Sequence, residues 1–249
     1  MRASSVAKCS FSFAAFYLGA ATILGSQATT SKPSEDGLTG QVEAARMTRD
    51  EAQLNLLKAE FEKRTAGSSC DARCYYELGR VELYIADVCE LRKDKKAAAA
   101  ATDRGIEAAQ HALQHDEKSA DVHALLGDLY AHKITYGAAM FTGPKYGPKI
   151  NDEIATGMAL DDKNPRVWAT QGRKFLMAPK MFGGDVVKAI ESFKKSLEFD
   201  QLQAETWSWL ARAYKKRDDS AKANEAIQKA LQLEPQNPIV KAAANDIGR

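Results

Sequence analysis

Between Ala204 and Pro235 large and small residues alternate on a fixed schedule that constrains the chain more than any other feature. Counting Ala204 as one, Trp207, Leu210, Ala211 and Tyr214 fall at four, seven, eight and eleven. Ala223, Ile227, Ala230 and Pro235 follow at twenty, twenty-four, twenty-seven and thirty-two. A helix returns to the same face every three to four residues, so the large residues of the first set share one face. The small residues at eight, twenty and twenty-seven let a second helix approach closely, and the proline ends it. The segment therefore reads as a hairpin of two helices, A and B.

Earlier segments repeat the schedule with interruptions. Trp168, Gly172 and Phe175 occupy positions four, eight and eleven, and their helix B (Ala189, Phe193, Ser196) arrives five residues late. Leu126, Gly127 and Tyr130 match seven, eight and eleven, with His123 in the tryptophan slot and Ile150, Ile154 and Gly157 eleven residues late. Tyr75, Leu78 and Gly79, then Gly105, Ala109 and Ala112 after a longer insertion, make a weaker fourth unit. The amphipathic stretch 48–64, with Leu54, Leu57 and Phe61, reads as a leading helix. No alternating β-branched run appears, so the expectation is all-α.

These are the signature positions of the tetratricopeptide repeat, and the chain resembles that family over about residues 72–235. The resemblance implies a right-handed solenoid of helical hairpins with long helix A–helix B insertions. Its units are 72–117, 120–162, 165–201 and 204–235, with a C-terminal capping helix at 237–249. Each unit buries its apolar face only on its neighbours. In this family helix A positions two, five, nine and twelve line a concave face that receives a protein or peptide. The residues at those positions nominate Arg73, Arg80, Asp128, Arg173, Arg212 and Lys215 as a partner-binding groove. Arginine suits bidentate carboxylate contacts, so an acidic peptide fits. The alternative is a solvated face whose arginines pair with Asp128 and Glu205. The Lys and Asn residues with which some relatives clamp a terminal carboxylate are absent.

The second and third insertions share a motif, Pro144-Lys145-Tyr146-Gly147 and Pro179-Lys180-Met181-Phe182-Gly183. Read as loops on one edge of the stack, they offer two outcomes. One is an apolar pocket formed by Tyr136, Phe141, Tyr146, Met177, Met181 and Phe182, with Lys145 and Lys180 at its mouth. The other is a small satellite core under folded-down loops.

At the other end, Arg2 and Lys8 precede an uncharged run from Cys9 to Gly25 and a small-residue exit, Ser26-Gln27-Ala28. That is the pattern of a cleavable secretory signal peptide over residues 1–28. At 17 residues the run is short for a membrane anchor, the competing assignment. Residues 29–47 read as a linker, from their Ser, Thr, Gly and Pro, and the solenoid as 48–249. The chain is thus expected to be exported, periplasmic or secreted. The full chain has 35 Lys+Arg and 33 Asp+Glu, and removing residues 1–28 leaves 33 of each sign. That balance gives no reason to expect nucleic acid.

Of the three remaining cysteines, Cys74 and Cys89 lie about 22 Å apart along one helix and cannot pair within it. Cys70 and Cys74 can; two ordinary thiols are the alternative. His111 and His115 are four apart on a helix, but no Glu follows His111 and no further ligand is spaced to join them, so no metal site is expected. No nucleophile–base pair can be built from the spacing, and neither cofactor nor catalytic residue is expected. The leading expectation is a non-enzymatic protein that binds another protein or peptide in a cell-envelope assembly. A second, weaker resemblance, to the helical-repeat T component of TRAP-type periplasmic transporters, implies instead a component that binds a small apolar ligand.

Overall fold

Short polar residues set where the helices start. In the computed structural model, which describes residues 35–67 and 70–248, eleven α-helices run along the described chain, with no strand among them. They are α1 (Glu35–Thr48), α2 (Glu51–Ala66), α3 (Ala72–Leu91), α4 (Lys95–His115), α5 (Ala120–Tyr136) and α6 (Ala139–Leu160). There follow α7 (Pro165–Met177), α8 (Val186–Phe199), α9 (Ala204–Lys216), α10 (Ser220–Leu233) and α11 (Pro238–Ile247). The side chains of Asp50, Asp71, Asp94, Ser119, Asn164, Asp185, Asp219 and Asn237 each accept a bond from a first-turn backbone N–H. Such caps satisfy donors that a helix leaves open at its start. After Asn164 and Asn237, Pro165 and Pro238 take the first helical position, where proline forfeits no bond.

The hairpins are α3/α4, α5/α6, α7/α8 and α9/α10, each stacked on the next. α2 packs against α3, and α11 closes the far end on α9 and α10. The core runs along the stack. Phe61, Val81 and Ala101 lie in its first part, Leu126, Leu129 and Val167 in the middle, and Phe193, Leu210 and Val240 at the end. Position eight plays two roles. A Cβ on Gly172 would sit 2.5 Å from the buried Phe193 ring of its own helix B. On Gly127 it would sit 2.9 Å from Thr170 of the next helix A, so there the small residue serves the joint between units rather than the A–B contact expected of it.

Two expectations need correcting. Within the 29–47 linker, residues 35–47 belong to α1; the earlier part of that linker and the 1–28 leader lie outside the described residues. Leu38, Val42 and Ala45, spaced four and three apart, are buried in the same core as α2 and α3, which is why the segment is helical. The insertions of the first two units are not loops but extra helical turns. α3 and α4 have 20 and 21 residues, and α5 and α6 have 17 and 22, against 13 and 14 in α9 and α10. Pro144 and Pro148 sit inside α6 on its exposed face, where water can satisfy the carbonyls a proline leaves open. Only the third unit keeps a true loop, 178–185, with one 3-10 turn at Lys180–Phe182.

Candidate interaction groove

Helix α1 lies against several of the concave positions of helices α3, α7 and α9. Glu43 of α1 pairs with Arg80 and lies 3.8 Å from Arg166, while Thr39 accepts a 3.2 Å bond from Arg73. Arg46 reaches the other end of the stack, with its Nη2 2.6 Å from Glu234 Oε1 and its Nη1 3.3 Å from Glu205. Arg49 joins the two ends: its Nη2 is 2.9 Å from Asp87 of α3 and 3.0 Å from Glu205 of α9. Its guanidinium also lies over the Tyr84 ring, 4.3 Å from the centroid.

Arg49 has φ 50°, a left-handed conformation rare for a residue with a side chain. It forms the corner between α1 and α2, and a side chain only 1% exposed holds it there. Asn237 completes the floor, donating to Glu205 at 3.0 Å and to Glu234 at 2.7 Å.

The charges respond to this packing. Burial pushes the Glu43 carboxyl up, but Arg80 and Arg46 outweigh it and hold the group at about 2. Burial also opposes Glu205, whose value nonetheless falls because Arg49 and Arg46 face it. Asp87 goes the other way: burial raises it despite Arg49 and His132. Burial raises Glu77 too, although Arg80 Nη1 sits 2.9 Å from it.

The six nominated groove residues therefore separate into three pairs. Arg73 and Arg80 hold α1. Asp128 and Arg173 hold each other in a two-pronged pair at 3.0 and 2.5 Å that ties α5 to α7. Arg212 and Lys215 meet α11 at Asp246, Arg212 through its carboxylate at 3.5 Å and Lys215 through its carbonyl, while the Trp209 ring of α9 lies 4.7 Å from the Arg212 guanidinium. The residues that reading missed are Glu43, Arg46 and Arg49. The signal was present as the Leu38–Val42–Ala45 spacing, with Arg46 on the same helix and Arg49 just past its end.

The eight nominated pocket residues sit at the end of α5, in the first half of α6, at the end of α7 and in the 178–185 loop. Tyr136 turns inward at the end of α5, where its hydroxyl donates to Glu90 at 2.7 Å and lies 3.1 Å from His132 Nδ1. Tyr146 stacks on Tyr130 with Lys145 above it. Phe141, Met177, Met181 and Phe182 are exposed, and Lys180 sits among them. An open cleft of about 320 Å³ does exist nearby, between α6 and α7, but other residues line it: Asn151, Ile154, Ala155, Met158, Gln171 and Lys174.

Asp87, Glu90 and His132 bring ligand-type atoms within 4.8 Å of one another and are the described group most able to approach a metal. Arg49 already occupies Asp87 there. His111 and His115 instead both stack on Tyr75, at 5.2 and 5.4 Å.

The tetratricopeptide repeat family matches residues 204–237, the segment with the uninterrupted schedule. Residues 204–237 are a tetratricopeptide repeat. Among solved structures, a thermophilic repeat protein of this kind from Thermus thermophilus aligns over 84% of this chain and 98% of its own, at 14% identity and a TM-score of 0.63. The HusA haemophore from Porphyromonas gingivalis aligns over 81% of this chain and 92% of its own, at 15% identity and a TM-score of 0.56. At those identities the likeness is one of fold. No curated protein matches the chain in sequence. The first three hairpins are tetratricopeptide-like in architecture, the first two with longer helices than the matched repeat.

Proposed function

We propose that this protein is a non-enzymatic, exported interaction scaffold of a cell-envelope assembly, whose concave groove accepts an amphipathic helix. The observation that carries the reading is α1 itself, an apolar stripe with a charged flank held by concave positions from three of the four hairpins. α1 defines the chemistry of the site: an apolar seam against α2 and α3, arginine acceptors at Glu205 and Glu234, and a carboxylate acceptor at Arg80. A partner helix of the same pattern would compete with α1 for these groups. Export is supported by the leader pattern of residues 1–28 and by the Cys70–Cys74 disulfide, with Cα atoms 5.2 Å apart; such bonds persist in oxidising compartments.

Affinity capture from the native envelope fraction tests the reading. Loosening α1 with Arg46→Ala plus Arg49→Ala should raise the yield of a stoichiometric protein partner. Unchanged capture would remove the groove from the function. The second reading, a transporter-associated protein that binds a small apolar compound, is favoured by the α6–α7 cleft, whose Ile154, Ala155 and Met158 wall is apolar. The haemophore described above, similar in fold, is a protein named for a small molecule. A co-purifying apolar compound, lost in Met158→Asp, would support that reading over the first.

A further inference from the structure

The near-neutral balance of the whole chain hides a strong division between its two edges. The four tips that join helix A to helix B, taken with their flanking helix ends as residues 91–96, 136–149, 177–188 and 215–222, hold twelve Lys or Arg and four Asp. The turns on the opposite edge, at 115–119, 160–164, 198–203 and 233–237, hold two Lys and seven Asp or Glu. Helices α5 and α7 are both first helices of their hairpins and pack on each other, so the tips of the second and third hairpins emerge on the same, basic edge.

Among the described residues, those two tips also gather large exposed apolar side chains. Met140 is 81% exposed, Phe141 75%, Met181 82% and Phe182 61%, values that leave most of each residue in water. Soluble surfaces rarely gather such residues without a use for them. α6 is eight residues longer than α8, about 12 Å of extra helix, and it carries Met140 and Phe141 at its start. No acidic residue lies between Tyr136 and Lys149.

The nearby lysines are not neutralised. Among the described residues, Lys145, Lys149 and Lys188 lie over aromatic rings rather than beside carboxylates, and Lys180 has no acidic partner. Burial and the neighbouring Lys188 also lower Lys174, as expected where cations gather without counter-charge.

Large apolar side chains on projecting tips, flanked by uncompensated lysines and backed by an acidic far edge, match one kind of partner. We propose that the helix A–helix B edge docks this protein on an anionic lipid surface. Met140, Phe141, Met181 and Phe182 enter the boundary between headgroups and acyl chains, and Lys145, Lys149, Lys180 and Lys188 face the lipid phosphates. Among the described residues no helix is long and apolar enough to cross a membrane, so this attachment lies on the bilayer without spanning it. The inference does not depend on what occupies the concave groove, which is built from other residues.

The test is co-flotation of the full chain with vesicles of phosphatidylcholine alone and of phosphatidylcholine with phosphatidylglycerol, at low and high salt. Binding should require phosphatidylglycerol and weaken with salt. It should fall by roughly tenfold or more in Phe141→Ser/Phe182→Ser and in Lys145→Glu/Lys180→Glu. All four sites are exposed, and unchanged circular dichroism and melting would show that the variants fold. No binding to the anionic vesicles overturns the proposal, and so does equal binding to both vesicle types. Equal binding by the variants, as an anchor elsewhere in the chain would give, overturns it as well. Capture of an acidic protein through these residues without vesicle binding would assign the edge to a protein instead.

Discussion

Gly172 shows how little freedom single positions have in this stack. Its missing Cβ makes room for Phe193, which is fully buried, with ring atoms 2.5 to 2.9 Å from where that Cβ would stand. Alanine ordinarily stabilises a helix interior relative to glycine by about 0.5–1 kcal/mol. Here overpacking, typically about 1–3 kcal/mol, should win. Gly172→Ala is therefore expected to lower the unfolding free energy in urea, and Phe193→Leu in the same chain to recover part of the loss. A stable Gly172→Ala protein would mean that the ring has another place to go.

Glu43 gives a second residue-scale expectation. Its folded value of about 2 lies below its ordinary 4.5, so its contribution to holding α1 is complete above about pH 4.5. That contribution drains away as the pH falls towards 2. Glu205 is shifted in the same direction and reinforces it. Amide exchange in α1 should accelerate over that acid window relative to α9, and Glu43→Gln should flatten the change. An α1 whose relative exchange ignores pH there would show that Glu43 does not hold it.

At the scale of elements, most helices from Ala120 onward were legible because their signals are local. Spacing of large and small residues, Asp and Asn caps and Pro at the first turn all act within a few residues of where they are written. Two elements were not legible for the opposite reason. In α1 the glycines Gly37 and Gly40 and the Ser- and Pro-containing stretch before them read as linker, while the helix is stabilised by burial of Leu38, Val42 and Ala45 on residues far along the chain. In α6 the prolines at 144 and 148 read as breakers, which they would be in a buried helix. On a solvated face the cost is smaller, and the long partner α5 supports the rest. The groove failed in the same way. Arg80, Arg173 and Arg212 were correctly placed on helix A, but spacing within a helix carries no information about which acid or helix lies opposite.

The whole molecule is closed by contacts between distant parts of the chain. Arg49 alone links Asp87 and Glu205, joining the first and last hairpins through the corner of α1 and α2. The disulfide adds a short closure at the start of α3, leaving Cys89 as the free cysteine among the described residues. Denatured without reductant, a chain from which residues 1–28 have been cleaved should titrate one thiol. Two would mean that Cys9 and its leader are retained, and three that Cys70 and Cys74 are not joined in the cleaved protein. Loss of the Cys70–Cys74 closure should cost about 2 kcal/mol by the chain-entropy relation for so short a loop.

Helix α1 is a resident of the concave groove, and hydrogen exchange resolved along the chain measures that directly. In the native protein the amides of residues 38–48 should be protected to a degree approaching that of α3. In Arg46→Ala/Arg49→Ala they should exchange rapidly while α5 to α11 keep their protection. A native α1 that exchanges at the rate of an unstructured peptide would contradict the groove's occupancy, and with it the competition on which the proposed function depends.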